Sequence, residues 1–473
     1  MFETVLSSGP MTGLPRGLFD DETDVGDISR PGSMSFADGQ YTVEGSGHNM
    51  WSRSDSFHFA WRKVEGDIEL SADVAFVGEG AEAHRKACLV IRESLDADSA
   101  YADIALHGDG LTSLQYRLAK GAETLEVTGN VVWAKRLGIR RIGDYVVAFA
   151  DGVPIGGGVR LPVGRQYYVG LAVCSHSKET SETATFSNLA YEVPKTTGRL
   201  FSSLEILTVG DLGRRTVEVF DRHVEAPNWT ADDRLILNGD GTLFSLPVTG
   251  GEATPISTGF ADRCNNDHGL SPDGTRIAIS DQSQGDHQSI IYTLPVTGGE
   301  PTRLTEHSPS YWHGWSPDGT TIAFCGQRDG SFGIFTVPAE GGGETRLTTA
   351  VHLDDGPEYS PDGEWIYFNS DRTSLMQIYR IRPDGSDLSQ VTDDSTGNWF
   401  PHISPDGRLM VYLAYDASVA GHPADKDVQL KLMDLSTGDT RVLTSIFGGQ
   451  GTINVPSWSA DSTRIAFVNY LYL

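Results

Sequence analysis

Residues 359–370 read YSPDGEWIYFNS, a tight turn followed by a β-rich run, and this unit recurs along the second half of the chain. The string Ser-Pro-Asp-Gly begins at Ser271, Ser316, Ser360 and Ser404, and degenerate copies begin at Thr230 and Ser459. Successive copies are separated by 41, 45, 44, 44 and 55 residues. Four short strands per repeat, at a period in the forties, is typical of a β-propeller blade.

The number of copies predicts six blades. Only about a dozen residues follow the copy at Ser459, which is too few for a four-stranded blade. Two β-rich runs precede the first copy, at Leu204–Val209 and Thr216–Val219. We therefore expect these N-terminal strands to complete the last blade and to close the ring, with the propeller spanning residues 200–473.

The Ser-Pro-Asp-Gly string favours a tight turn, because proline fixes φ, the aspartate side chain hydrogen-bonds to the nearby backbone and glycine accepts a positive φ. We interpret it as structural.

The first half of the chain has a different pattern. Residues 32–193 form many short alternating runs with polar turns and almost no helical periodicity, for example Asp67–Phe76, Asp144–Ala150 and Tyr167–Val173. This pattern predicts a β-sandwich. We expect residues 1–31 to be irregular and residues 194–199 to be a linker. The whole protein is thus predicted to be all-β.

Composition narrows the possible partners. The 473-residue chain has 64 acidic and 36 basic side chains, for a net charge of −28, and 38% of its residues are hydrophobic. Such a charge repels phosphate, so nucleic acid and anionic membrane surfaces are not expected as partners. No run reaches the length of a membrane-spanning helix, and residues 1–31 lack the pattern of a secretory signal.

A cytoplasmic location is therefore expected, or a periplasmic or secreted one if a signal has been removed. The four cysteines are scattered without zinc-ligand spacing, which indicates separate reduced thiols. The sequence contains neither a Gly-x-Ser-x-Gly elbow nor a nucleotide-binding fingerprint in a strand–helix setting, so no nucleotide cofactor is expected. It leaves the oligomeric state open.

Strand direction predicts where a ligand would bind. The innermost strand of each blade runs into the Ser-Pro-Asp-Gly turn, so the loops that enter these strands meet on the opposite face of the disc. Loops at such a concave mouth often form ligand sites. The candidate substrate-binding residues at these positions are Asn266, Asp267, Trp312, Trp399 and Asn454, and the neighbouring loops on the same face, after the next strand, add Arg328 and Arg372.

Histidines and carboxylates enter the same face. His268 and His313 both lie three residues before the serine of a repeat, so we expect them to be neighbours; His402 is offset by one residue. Imidazole with carboxylate suits Zn²⁺ or Mn²⁺, and carboxylate with amide oxygens suits Ca²⁺. The alternative is that these polar groups only satisfy one another at a wet channel mouth, that the two tryptophans pack in the core, and that Arg372 belongs to a structural loop.

The repeats, such as residues 359–372 followed by Gln377-Ile378-Tyr379, resemble the WD40-like (PD40) repeats of TolB-type propellers. That resemblance implies the fold but no single function, because such repeats occur in proteins with several functions, oligogalacturonate lyases among them. The runs at 86–92, 101–104, 140–145 and 168–173 are similar to concanavalin-like jelly rolls, which are often attached to carbohydrate-active proteins.

The distant similarity to oligogalacturonate lyases implies a metal at the propeller mouth, with a histidine base nearby, although their dense His/Gln ligand cluster is not reproduced here. On this basis the predicted metal ligands are His268, His313 and Asp355, and His402 or Glu358 would move the proton. The predicted function is cleavage of a glycosidic bond in an oligosaccharide, by lysis or hydrolysis. The alternative is a non-catalytic TolB-like propeller that binds protein or glycan ligands.

Overall fold

The computed structural model describes residues 16–195, 197–284, 286–349 and 351–473. The chain divides into two compact units, Met1–Thr196 and Thr197–Leu473. The described residues form strands, turns and loops, and no helix among them is long and apolar enough to cross a membrane. The all-β fold class is confirmed.

The described residues of the first unit form sixteen strands in chain order. They are β1 (Asp21–Val25), β2 (Ser33–Ala37), β3 (Gln40–Gly47), β4 (Met50–Trp51), β5 (Ser54–Asp55), β6 (Phe57–Glu65), β7 (Ile68–Phe76), β8 (Lys86–Arg92), β9 (Tyr101–His107), β10 (Thr112–Arg117), β11 (Leu125–Thr128), β12 (Arg136–Ile142), β13 (Tyr145–Ala150), β14 (Val153–Arg160), β15 (Gln166–Cys174) and β16 (Ser177–Glu192).

These strands form two antiparallel sheets that share a core. One sheet has the order β1-β6-β15-β8-β9-β10-β11 and the other β14-β13-β12-β7-β16-β3-β2, while β4 and β5 pair separately. A single hydrophobic cluster contains side chains of both sheets, such as Leu89 and Ile104 from the first and Leu70 and Ile139 from the second. Alternating side chains supply this cluster from each strand, as expected for a sandwich.

One expectation for the N-terminal segment is wrong. Residues 1–15 lie outside the described residues, but Asp21–Val25 forms strand β1 rather than irregular chain. This acidic segment shows no clear hydrophobic alternation, and it becomes a strand because it pairs in register with Phe57–Trp61. Tertiary pairing overrides the weak local preference.

The second unit contains the remaining strands. They are β17 (Leu200–Thr208), β18 (Arg214–Phe220), β19 (Glu225–Trp229), β20 (Arg234–Gly239), β21 (Thr242–Pro247), β22 (Thr254–Ile256), β23 (Cys264–Leu270), β24 (Arg276–Asp281), β25 (Ile290–Pro295), β26 (Thr302–Arg303), β27 (Ser310–Trp315), β28 (Thr321–Arg328), β29 (Ser331–Pro338), β30 (Thr345–Arg346), β31 (Asp354–Tyr359), β32 (Ile366–Ser370), β33 (Gln377–Ile381), β34 (Ser389–Gln390), β35 (Thr396–Ile403), β36 (Leu409–Asp416), β37 (Lys426–Asp434), β38 (Thr440–Gly448) and β39 (Arg464–Tyr472).

The second unit is a β-propeller in which the described residues form five four-stranded blades: β19–β22, β23–β26, β27–β30, β31–β34 and β35–β38. The prediction was six. A further set, β18-β17-β39, has three strands, and the inner segment before Ser459 contributes one isolated bridge, Trp458 to Ile465. This inner segment contains Gly449, Gly451 and Pro456, which weaken strand pairing through backbone entropy and a missing N–H group.

The two ends of the propeller sequence pair as predicted. Strand β39 is antiparallel to β17 over nine residue pairs, from Leu200 with Tyr472 to Thr208 with Arg464. Strand β18 pairs with the other edge of β17. The early strands therefore complete the set that the last strand begins.

The repeated turns are stabilised in the same way in every copy. In the first full copy the Ser271 hydroxyl donates to Asp273 at 2.6 Å, and the Arg276 N–H donates back to Ser271 Oγ at 3.0 Å. The degenerate copies keep the first bond, from Thr230 to Asp232 and from Ser459 to Asp461, each at 2.6 Å. The structural interpretation of the repeat is thus supported by its hydrogen bonds. All four cysteines are buried and unpaired.

Candidate functional site

A cavity of about 320 Å³ opens in the second unit where the inner strands of several blades meet. It lies on the side from which the chain enters these strands, as the strand-direction argument predicted. Its lining side chains are Asp267, Tyr311, His313, Cys325, Phe332, Leu353, Asp355, Phe400, His422, Gln450 and Asn454. Four of the residues predicted for the site are among them: Asp267, His313, Asp355 and Asn454.

His313 and Asp355 form the central ion pair of the cavity. Their Nε2 and Oδ1 atoms are 3.4 Å apart, and both side chains are largely buried. Burial lowers the pKa of His313, but the nearby carboxylates of Asp267 and Asp355 outweigh burial and raise it. Burial raises the pKa of Asp355, yet the hydrogen bond and charge of His313 hold it well below its usual value. Each side chain of the pair therefore favours the charged form of the other.

Asp267 supplies a second carboxylate with a different environment. It accepts hydrogen bonds from the Asn454 amide at 2.5 Å and from the Asn265 amide at 2.7 Å. Burial is the main reason that its pKa rises to about 6, with His313 opposing and Asp355 adding to the rise. At neutral pH this side chain is mostly ionised, but at a cost in free energy.

A β-bulge in the inner strands aims these side chains. The pairing of β31 with β32 shifts register between Asp355 and Glu358, and Gly356 within the bulge has φ +61°. In the next blade Phe400 occupies the corresponding place with φ +53°, an unusual conformation for a bulky residue. Its N–H donates to Asn369 Oδ1 at 3.1 Å, which helps to hold it there. Conformations of this kind cluster at functional sites.

The long insert between β36 and β37 reaches the cavity through His422. Its Nε2 lies 3.7 Å from Asp355 Oδ2, and its ring meets those of Trp399 and Phe400 edge-on at 4.5 and 5.1 Å. Burial lowers the pKa of His422. The insert thus forms one wall of the cavity with a neutral imidazole.

His268 does not belong to this cavity, contrary to the prediction. Its neighbour Asp267 lines the cavity, and successive side chains of a strand point to opposite faces. His268 is fully buried, donates from Nε2 to the Ile236 carbonyl at 3.2 Å, and has its pKa lowered by burial to about 4. Equal spacing from the repeat serine failed as a guide because the register shift lies at a different position in the blade of His268 than in the blade of His313.

The predicted metal ligands are consequently not assembled. His313 and Asp355 are together but His268 is turned away, and no group of three or more His, Cys, Asp or Glu in the described ranges is placed to hold a metal ion. The residues present do not fit the divalent metal that the resemblance implied.

His402 and Glu358 also lie outside the lining and pair with each other. His402 Nδ1 is 2.6 Å from Glu358 Oε2, and its Nε2 donates to the Ile453 carbonyl. Glu358 accepts a further bond from the Ile403 N–H at 2.9 Å. With every one of these atoms engaged inside the protein, the pair joins neighbouring blades, and the predicted proton-transfer role does not fit its position.

Both tryptophans predicted to bind substrate are core residues. Trp312 is 1% exposed and Trp399 is 2% exposed, each within a hydrophobic cluster. A Cβ added at Gly269 would lie 1.9 Å from the Trp312 indole, so this ring packs directly on the backbone of the preceding blade. Asn266 is buried as well and does not line the cavity.

The two arginines predicted to bind substrate are instead bound to carboxylates of the protein. Arg328 binds Glu344 through Nε at 2.8 Å and Nη2 at 2.9 Å. Arg372 donates to Asp354 at 2.8 Å and lies over the Tyr379 ring, 4.7 Å from its centroid. Both therefore stabilise their own blades, as the alternative for Arg372 anticipated.

The predicted set omitted the apolar walls. Phe332, Leu353 and Phe400 line the cavity together with Tyr311, and the Tyr311 and Phe332 rings are 6.5 Å apart. His422 was also absent from the predicted set. The predicted residues were polar or charged side chains and two tryptophans, so these walls were left out, although Phe400 directly follows Trp399 and would have been a usable signal.

The chain is similar to proteins that contain a TolB-type β-propeller. The profile of the TolB beta propeller domain (PD40) matches residues 313–470. The uncharacterized protein Atu1656 of Agrobacterium fabrum is 49% identical over 275 residues, which are 58% of this chain and 94% of that protein. A solved structure from Agrobacterium tumefaciens, provisionally assigned as TolB, is 48% identical, with TM-score 0.57, and covers 58% of this chain and 100% of its own.

A structure of oligogalacturonate lyase with manganese is more distant. It is 16% identical with TM-score 0.38, covering 57% of this chain and 78% of its own. Sequence identity and structural similarity this low do not support a statement about activity.

Proposed function

Because the chain belongs to the TolB-type β-propeller family with PD40 repeats, we propose that it is a ligand-binding propeller that does not transform its ligand. The observation that carries this proposal is the cavity itself. Fixed polar groups from separate blades meet there against walls of aromatic and aliphatic side chains. This is the usual composition of a small-ligand site.

The placement of the histidines supports binding over catalysis. His268 and His402, two of the three predicted histidines, are engaged by backbone carbonyls outside the lining. The third, His313, is held in an ion pair with Asp355, so it presents charge and shape instead of a free base. The ligand is a polar small molecule or a segment of a protein or glycan.

One observation favours the catalytic candidate. Asp267 and Asp355 share the cavity, and their pKa values are shifted in opposite directions. Paired carboxylates whose environments separate their pKa values are the acid and base of many glycosidases. Cleavage of a glycosidic bond is therefore the second candidate.

A binding and turnover assay separates the two candidates. The purified protein is incubated with oligosaccharides, including oligogalacturonates, and with a peptide library. Binding is read by thermal shift, and cleavage by new reducing ends and by ultraviolet absorbance of unsaturated products. We expect a ligand that raises the melting temperature of the wild type and of the surface control Asp387→Asn, but not of Asp355→Asn, and that is recovered intact.

Turnover that disappears in Asp355→Asn would establish the second candidate instead. Ligand shifts that are equal in all three proteins would place binding outside the cavity and overturn the proposal.

We also infer a sixth blade, formed by β18, β17, β39 and the segment that leads to Ser459. The supporting contacts are the Trp458–Ile465 bridge and the bond from the Ala466 N–H to the Ser457 carbonyl at 3.0 Å. The bond from Ser459 to Asp461 reproduces the turn of the other repeats.

For the first unit we propose a concanavalin-like jelly roll that offers a second recognition surface. Its two seven-stranded sheets around one core support this assignment. The cytoplasmic location and the exclusion of nucleic acid and membrane as partners stay predictions.

A further inference from the structure

The cavity has an excess of negative charge at neutral pH. Asp355 and Asp267 are carboxylates, and His313 is the one lining side chain whose positive charge the surroundings favour, since burial lowers the pKa of His422. The local balance is thus one net negative charge. Net negative charge at a buried site is costly, so the cavity favours a ligand with one positive charge.

An unpartnered acceptor lies beside this charge. Asn454 is 2% exposed and lines the cavity, and its amide nitrogen is committed to Asp267. That bond fixes the orientation of the amide, and Asn454 Oδ1 is buried without a hydrogen-bond partner. A ligand group that carries several N–H donors satisfies both this oxygen and the neighbouring carboxylate.

The remaining walls suit an apolar stem with a cationic end. Phe332, Phe400 and Tyr311 present aromatic rings, and Leu353 adds an aliphatic surface. Aromatic faces attract cations, and the effect grows when the cation is withdrawn from water. The net charge of −28 on the whole chain also attracts cations towards the protein.

We propose that this cavity binds an organic cation with N–H donors on an aliphatic stem: a primary ammonium or guanidinium group, on a free amine or on the basic side chain of a peptide. The proposal rests on the ligand-binding function above and specifies its ligand class. The ammonium or guanidinium group donates to Asn454 Oδ1 and to the Asp267 carboxylate beside it, and the stem packs on the aromatic rings.

Calorimetric titration with four probes tests the proposal. The probes are n-butylamine, the N-acetyl methylamides of lysine and arginine, and the N-acetyl methylamide of norleucine, which keeps the stem but lacks the charge. We expect at least one cationic probe to bind and the norleucine probe to bind at least tenfold more weakly. Butylamine compared with the lysine derivative shows whether a free amine or a peptide side chain is preferred.

Two variants locate the binding. Asp267→Asn keeps the shape of the side chain but removes its charge, and we expect at least a tenfold loss of affinity. Phe332→Leu keeps an apolar wall but removes the ring, and we expect a several-fold loss. The control Asp387→Asn removes an equal charge from an exposed side chain and leaves affinity unchanged. The melting temperature of each variant confirms that it is folded.

Three results overturn the proposal: equal binding of the norleucine probe, binding that Asp267→Asn does not change, or no binding of any cation. If these occur while the oligosaccharide or peptide screen still yields an Asp355-dependent ligand, only the ligand class is wrong. If that screen also fails, the binding function itself is wrong.

Discussion

Replacing His402 by alanine tests whether the buried His402–Glu358 pair holds neighbouring blades together. His402 Nδ1 contacts Glu358 Oε2 at 2.6 Å, its Nε2 donates to the Ile453 carbonyl, and the two side chains are 5% and 11% exposed. Alanine at 402 leaves the Glu358 carboxylate with one remaining donor, the Ile403 N–H. It also leaves the Ile453 carbonyl without this donor.

The expected loss of stability follows from that geometry. Removing one partner of a buried ion pair typically costs about 3–5 kcal/mol, because the other charge stays buried without its opposite charge. At roughly 2 °C per kcal/mol for a domain of this size, the melting temperature of the propeller falls by roughly 6–10 °C. Glu358→Ala is expected to have a similar effect.

Differential scanning calorimetry of both single variants and the double variant provides the assay. Because the two side chains act as one unit, the double variant is expected to be little worse than either single variant, with a coupling energy of about 2 kcal/mol or more. His307→Ala, at an exposed loop position, is the control and should change little. Additive losses, or losses below about 1 kcal/mol, would show that the pair does not join the blades.

Two further predictions concern packing and pH. Gly269→Ala places a methyl group 1.9 Å from the buried Trp312 ring, so we expect a loss of about 1–3 kcal/mol in urea unfolding, partly recovered when Trp312→Phe is added. Burial raises the pKa of Asp267 from 3.8 to about 6. The protonated side chain therefore contributes fully to the stability of the fold below about pH 3.8. This contribution, up to about 3 kcal/mol, is lost as the pH rises through about 6. Asp267→Asn therefore gains stability relative to the wild type over that interval, measured by urea unfolding at a series of pH values.

Each of these predictions has a control. Gly210→Ala adds a methyl group in open space and should be neutral, so an equal loss in both glycine variants would contradict the packing argument. For the pH prediction, the ionisable groups that interact with Asp267 are His313 and Asp355, with Glu225 and Tyr311 affected by its charge. A stability difference between Asp267→Asn and the wild type that does not vary with pH would contradict the assigned burial effect.

The sequence predicted the propeller because its turns are local. Ser271, Asp273 and their equivalents form hydrogen bonds within five residues, so the pattern that identifies the turn lies within one short stretch of sequence. The pairing of β17 with β39 was also predictable, because the shortage of residues after Ser459 required strands from elsewhere.

The site was predicted less well because side-chain direction depends on bulges. Asp355 and His313 meet and His268 does not, although His268 and His313 have the same spacing to their repeat serines. The bulges shift the register at different positions in different blades. Trp312 is buried and Arg328 is bound to Glu344, so both are structural residues. The sequence alone does not show which residues surround them.

The pairing of β17 with β39 also affects how the propeller is made on the ribosome. Asn469 and Glu205, which bond across these strands, are 264 residues apart in the chain. During translation β17 emerges well before β39, and one edge of β17 stays unpaired until β39 has left the exit tunnel. Stalled or prematurely terminated chains therefore expose that edge to other nascent chains, and holdase chaperones become relevant to the yield of this protein in a way that its finished structure conceals.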